Sequence, residues 1–111
     1  MSNARLPEIT HLQFLVLEGL EGGEQPGRAL RDLLAGYGVR NSAPAFYQMM
    51  ARLEQAGLVN GRYDHKALNG QRVKERCYEM TRAGQRAFEA TRAFYMDRSA
   101  APRVARRGSG V

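Results

Sequence analysis

Tyr47, Gln48 and Arg52 lie in RNSAPAFYQMMARLEQAGLV (residues 40–59), a stretch that opens with a helix cap and closes on a glycine stop. All three can make directional hydrogen bonds, and they fall on the outward side of a helix whose other side, Phe46, Met49, Met50 and Leu53, is patterned for burial. Charge indicates what class of partner such a face could meet. Residues 1–58 carry five Lys+Arg against six Asp+Glu, whereas residues 59–111 carry twelve against five, for a net +6 and a pI near 10.1. A basic half on a small domain suits a polyanion, most economically a nucleic acid.

Other chemistries find little support. Cys77 is the single cysteine, so neither an intramolecular disulfide nor a cysteine-cluster metal site can form. His11 and His65 fall in different elements with no ligand cluster around either, and no metal or other cofactor is expected. GLEGGEQPG lacks the Lys-Ser/Thr of a phosphate-binding loop and follows a helix, so no nucleotide site and no enzyme is expected. With 43% hydrophobic and 25% charged residues the composition is that of a soluble globular protein. The longest apolar run is too short to span a membrane, and the N-terminus lacks a basic-then-apolar signal, so the expected location is the cytoplasm.

The elements that must position these residues follow from periodicity. THLQFLVLEGLE (10–21) reads as a helix capped by Thr10, with Ile9, Leu12, Leu15, Val16 and Leu20 on one side. Phe14 and Leu17 widen that stripe beyond what one side of a small domain needs. PGRALRDLLAGYG follows as a second helix from Pro26, with Ala29, Leu30, Leu33 and Leu34 inward. Ser42 caps the third helix, and Pro44 sits in its first turn, where a missing N–H costs little. VNGRYDHKALNGQRVKERCYEM then forms a hairpin about Asn69-Gly70. A two-residue turn would set Asp64 opposite Glu75, an unfavourable like-charge pair, which leaves the register open. Tyr78 and Met80 share a strand face toward the core. A fourth helix starts at the cap Thr81, with Ala83, Ala87 and Ala90/Thr91 as its inner stripe.

The order helix-helix-helix-strand-strand-helix, mainly α with a β-hairpin wing (α+β), resembles the PadR-like winged helix-turn-helix transcriptional regulators in their short form. The resemblance covers roughly residues 9–95 and rests on ITHLQFLVLEGL, SAPAFYQMMARLEQAGLV and the NGRY…NGQRVKERCYEMTRAGQRAFE wing with its exit. It implies a DNA-binding domain over 1–80, a dimerisation helix over 81–98 and a flexible basic tail over 99–111. Helix 42–56 would read the major groove of double-stranded DNA through Ser42, Ala45, Tyr47, Gln48 and Arg52, and the basic wing 62–76 would lie on the backbone through Lys66, Arg72 and Lys74. Gln pairs bidentately with adenine, Arg with guanine or phosphate, and a tyrosine hydroxyl with phosphate. Phe14, Leu17, Phe88, Phe94 and Tyr95 would be left over for a second copy, giving a homodimer on a near-palindromic operator and acting as a repressor. Such a protein would be nucleoid-associated when bound to DNA. Some short members sandwich flat drugs between tryptophans; this chain has none, and no residue indicates a small-molecule inducer. The alternative is a winged helix used for protein contact, which would respond weakly to salt.

Overall fold

A computed structural model describes residues 6–100. Helix α1 spans His11–Gly19, and Thr10 and Gln13 close a reciprocal cap: Thr10 Oγ1 accepts from the Gln13 amide at 3.1 Å and Gln13 Oε1 from the Thr10 amide at 2.9 Å. A two-residue strand β1, Gln25–Pro26, leads into α2, Gly27–Gly36. Helix α3, Ala43–Gln55, begins at the expected cap, where Ser42 Oγ accepts from the Ala45 amide at 3.2 Å. Strands β2, Val59–Leu68, and β3, Gln71–Met80, form the hairpin, and α4 runs Arg82–Ala100. The tail expected from residue 99 therefore begins with two helical residues, and its remainder lies outside the described residues.

The sheet is antiparallel in the order β1-β3-β2. Strand β1 was not foreseen, because two residues carry no readable period. It pairs Gln25 with Tyr78 and Pro26 with Cys77, at a sheet edge where a proline is tolerated. The hairpin takes the strict register that the sequence left open, with Asp64 opposite Glu75. Asn69 (φ 53°) and Gly70 (φ 78°) both adopt the left-handed backbone of the tight turn that fixes it. Cations remove the objection to the like-charge pair. Arg62 lies 3.6 Å from Asp64, while Arg28 and Lys66 reach Glu75 at 2.6 and 2.8 Å.

Every element except β1 and the outer half of the wing feeds one core. Val16, Leu17 and Leu20 meet Leu30, Leu34, Phe46, Met50, Leu53, Val59, Tyr78 and Phe88. Two residues assigned to a second copy are thereby corrected: Leu17 is 0% and Phe88 1% exposed within the single chain. The reason is the phase of α4. Its inner line is Gly84, Phe88 and Thr91, while Ala83 and Ala87 flank it half-buried and Ala90 is exposed. Gly84 sets the line because a Cβ there would collide with the Leu58 carbonyl oxygen. Thr81 locks the same junction: its amide donates to Leu58 O (3.1 Å), its hydroxyl donates to Gly57 O (2.6 Å) and accepts from the Gly84 amide (3.0 Å). Phe88 then stacks on Phe14 with ring centres 5.0 Å apart, and the buried Thr91 hydroxyl is satisfied by Ala87 O at 2.7 Å.

This packing makes Phe88 a folding residue. Phe88→Ala should lower unfolding free energy by about 3–5 kcal/mol in urea titration, and Phe88→Glu should abolish the folded state. Gly84→Ala should also destabilise, since the obstructing atom is main chain and cannot swing aside. Wild-type midpoints for Phe88→Ala and Gly84→Ala would refute this phase of α4.

Candidate nucleic-acid interface

Helix α3 divides cleanly. Phe46, Met50 and Leu53 are buried, with Met49 half-buried beside them; Pro44, Ala45, Gln48, Ala51, Arg52 and Gln55 form the opposite, exposed face. At 3.6 residues per turn Ala45, Gln48 and Arg52 share one strip of that face. The side chains of Gln48 and Arg52 have no hydrogen-bond or ion-pair partner among the described residues. Small residues around them (Pro44, Ala45, Ala51) leave the helix free to approach another surface closely. Tyr47 lies at the edge of this face, toward α2, and is 37% exposed. Its ring meets Phe46 edge-on at 4.9 Å, and its hydroxyl lies against Gly27, where a Cβ would come within 2.7 Å of Oη. Only glycine at the start of α2 leaves Tyr47 this position, a dependence that no local pattern announces.

The wing has two unlike sides. Directly paired residues point to the same side of a sheet and the side alternates along each strand. From the inward pairs Val59/Met80 and Gly61/Tyr78, the same side continues through Tyr63/Arg76, His65/Lys74 and Ala67/Arg72. This side adjoins α3, because Arg76 Nη2 donates to both Glu54 carboxylate oxygens at 2.8 and 3.1 Å. Lys74 Nζ and Arg76 Cζ both stand 4.7 Å from the Tyr63 ring centre, a stack that orders the two cations. Arg72 has no ion pair among the described residues.

The opposite side is an ion-pair ladder tied to β1 and α2. Glu24 takes both forks of Arg62 at 2.6 and 2.7 Å. Lys66 belongs here, with its ammonium 2.8 Å from Glu75. Lys66 therefore does not stand with Arg72 and Lys74, as the sequence had grouped them, because it falls one residue out of their alternation. The hydrogen bonds from Lys66 and Arg28 hold the Glu75 carboxyl below its ordinary pKa, and Glu75 raises that of Lys66. Arg62 likewise lowers the pKa of Glu24.

Asp64, Glu75 and Cys77 bring ligand atoms within 4.8 Å of one another. Both carboxylates are occupied by cationic side chains, and burial pushes the Cys77 thiol up, away from the thiolate that a metal or a nucleophilic reaction needs. Tyr78 is raised to about 12 by burial and stays a neutral core phenol. No helix among the described residues is long and apolar enough to cross a membrane.

A helix-turn-helix of α2 and α3, a two-stranded wing and a closing helix define a winged-helix DNA-binding protein. The chain belongs to the transcriptional regulator PadR-like family, whose model matches residues 16–90. That family comprises transcriptional regulators and is not an enzyme class. Among solved structures, a PadR family transcription regulator from Clostridium difficile R20291 is 17% identical with a TM-score of 0.69, over 81% of this chain and 92% of its own. A PadR family regulator from Eggerthella lenta is 28% identical (TM-score 0.64) over 79% of this chain and 74% of its own. Bacillus subtilis PadR in complex with operator DNA is 16% identical (TM-score 0.60) over 88% of this chain and 51% of its own. No curated protein sequence matches this chain.

The ladder carries a pH signature. Glu24 and Glu75 titrate below their ordinary value of 4.5 in the folded protein, so their contribution is complete above about pH 4.5 and is lost as pH falls through the depressed values. Acid unfolding of a Glu24→Gln/Glu75→Gln variant, followed by circular dichroism from pH 6 to 2, should therefore show a smaller drop in midpoint than the parent. Identical acid profiles would refute the ladder.

Proposed function

We propose that the chain is a homodimeric, sequence-specific repressor that reads double-stranded DNA with α3 in the major groove and the α3-facing side of its wing on the backbone. One observation carries this reading: α3 spends one face on the core and leaves the other with Gln48 and Arg52 unpartnered among the described residues, on a floor of small residues. Gln48 can pair with adenine, Arg52 with guanine or phosphate, and Ala45 can meet a thymine methyl. Ser42 and the Gly27-supported Tyr47 hydroxyl suit phosphate contacts at the groove edge. Arg72 and Lys74 supply backbone contacts beyond the wing's turn side, whereas Lys66 must first leave Glu75. That B. subtilis PadR, which shares the fold, was solved with operator DNA supports the same docking here.

The second copy is assigned to the outer half of α4. Past Thr91 the helix leaves the core, and Tyr95 and Met96 are 46% and 60% exposed. Tyr95 stacks against His11 at 6.1 Å and meets Phe94 edge-on at 5.2 Å, which joins this surface to the outer side of α1 near Phe14. Pairing two such surfaces about a twofold axis would cover them and set two α3 helices about 34 Å apart on a near-palindromic site. Repression by occupying that site is the simplest output of such a unit.

Gln48→Ala and Arg52→Ala should each weaken binding to a duplex selected in vitro by the parent by about 1–3 kcal/mol, with little change on random duplex. Neutralising Arg72 and Lys74 should weaken both duplexes alike and flatten the salt slope by about 0.9 per lost contact, with a smaller effect from Lys66. Parental affinity in both α3 variants would remove α3 as the reader, and salt-independent binding would favour protein contact.

Sedimentation at micromolar concentration should show twice the 12.4 kDa chain mass. Tyr95→Glu/Met96→Glu should give a folded species at the single-chain mass with weakened operator binding. A parental monomer would end the dimer assignment.

A further inference from the structure

A cavity of about 310 Å³ lies between α2 and α3, with Arg28, Arg31, Asp32, Leu34, Arg40 and Phe46 in its lining. Three arginines and one aspartate line it, and of the arginines only Arg28 is engaged by the wing. Arg28 is drawn toward Glu75 at 2.6 Å. Arg31 and Arg40 have no ion pair among the described residues and leave the cavity with unspent positive charge. We propose that this cavity seats a phosphate of the DNA backbone on Arg31 and Arg40, giving the helix-turn-helix turn a backbone contact of its own.

The proposal rests on the DNA-binding reading above and extends it to the other end of the reader. The wing is tethered near the C-terminal end of α3 through Arg76 and Glu54, whereas Arg40 and Asn41 immediately precede the Ser42 cap at its N-terminal end. Backbone contacts at both ends would fix the depth and register at which Gln48 and Arg52 meet the bases.

The backbone that carries Arg40 is fixed by the end of α2. Val39 donates to Leu34 O and Gly38 to Ala35 O, both at 2.9 Å, which closes the end of α2 and fixes where Arg40 leaves the chain. Leu34 and Phe46, each buried, form an apolar floor. Charge pairing above such a floor is less screened than on an open surface. Guanidinium forks match the paired oxygens of a phosphate. The cavity is also open-sided, which suits a strand passing across it better than a small molecule enclosed within it.

The test compares Arg31→Gln, Arg40→Gln and their double variant with the parent and with Arg86→Gln, an exposed arginine on α4. Affinity for a duplex selected by the parent and for random duplex is measured across a salt series, with circular dichroism confirming the fold. Each substitution should flatten the log K against log salt slope by about 0.9 on both duplexes. Arg40→Lys should retain most of the slope, and Arg86→Gln should change nothing. Parental slopes in the double variant, with the parent still binding in a salt-dependent way, would overturn the phosphate seat and leave the DNA reading standing. A parent that binds neither duplex would overturn both. Methyl phosphate provides the second arm: if it shifts the Arg31 and Arg40 side-chain NMR signals while the double variant keeps the parental DNA slope, the cavity is a small-anion site and the backbone assignment fails.

Discussion

Among the described glycines, Gly84 at the start of α4 has the tightest backbone neighbour, the Leu58 carbonyl, and this contact sets how the last helix packs. The approach requires a residue without a Cβ, and Thr81 seals it from both directions by bonding Gly57, Leu58 and Gly84. Once α4 starts there, its rotation is set. Phe88 and Thr91 must enter the core, and Tyr95 and Met96 must leave it. The same junction ends α3 and begins β2, so α3, the root of the wing and the projecting helix share one anchor. Hydrophobic burial supplies most of the stabilisation, but this backbone contact selects which hydrophobic side chains are available for it.

Electrostatics divides the wing in a comparable way. Five of its cations could all have been assigned to a polyanion on charge alone. Alternation along the strands places Tyr63, His65, Arg72, Lys74 and Arg76 on the side that adjoins α3 through Arg76, and sends Arg62, Asp64, Lys66 and Glu75 to the side met by Glu24 and Arg28. On that far side the charges neutralise one another and brace the hairpin against Glu24 and Arg28. On the near side the tyrosine ring and Glu54 hold Lys74 and Arg76 in place without cancelling the positive field of Arg72. Structural charge and available charge are thus segregated by a period of two residues.

Tyr47 and Gly27 show a related dependence between elements. A hydroxyl on α3 takes its position from the absence of a side chain at the start of α2. The exposed face of α3 is therefore shaped partly from behind, by the start of α2, and a substitution remote from any partner can alter it.

Much of this was legible in the chain itself. Local signals recorded in adjacent residues marked the caps at Thr10, Ser42 and Thr81, the Asn69-Gly70 turn, the buried line Phe46-Met50-Leu53 and the order of elements. A cap or a two-residue turn is decided by hydrogen bonds and dihedral angles within a few positions, so sequence suffices for them. The phase of α4, the strand at Gln25–Pro26, the hairpin's acceptance of Asp64 beside Glu75 and the reassignment of Leu17, Phe88 and Lys66 were not legible. Each depends on an atom far away in sequence: the Leu58 carbonyl for α4, Tyr78 and Cys77 for β1, and Arg28 for the carboxylate pair. Spacing shows that a helix has an apolar side, but its rotation about its own axis is set by how closely the neighbouring backbone can come, and only the folded chain decides that distance.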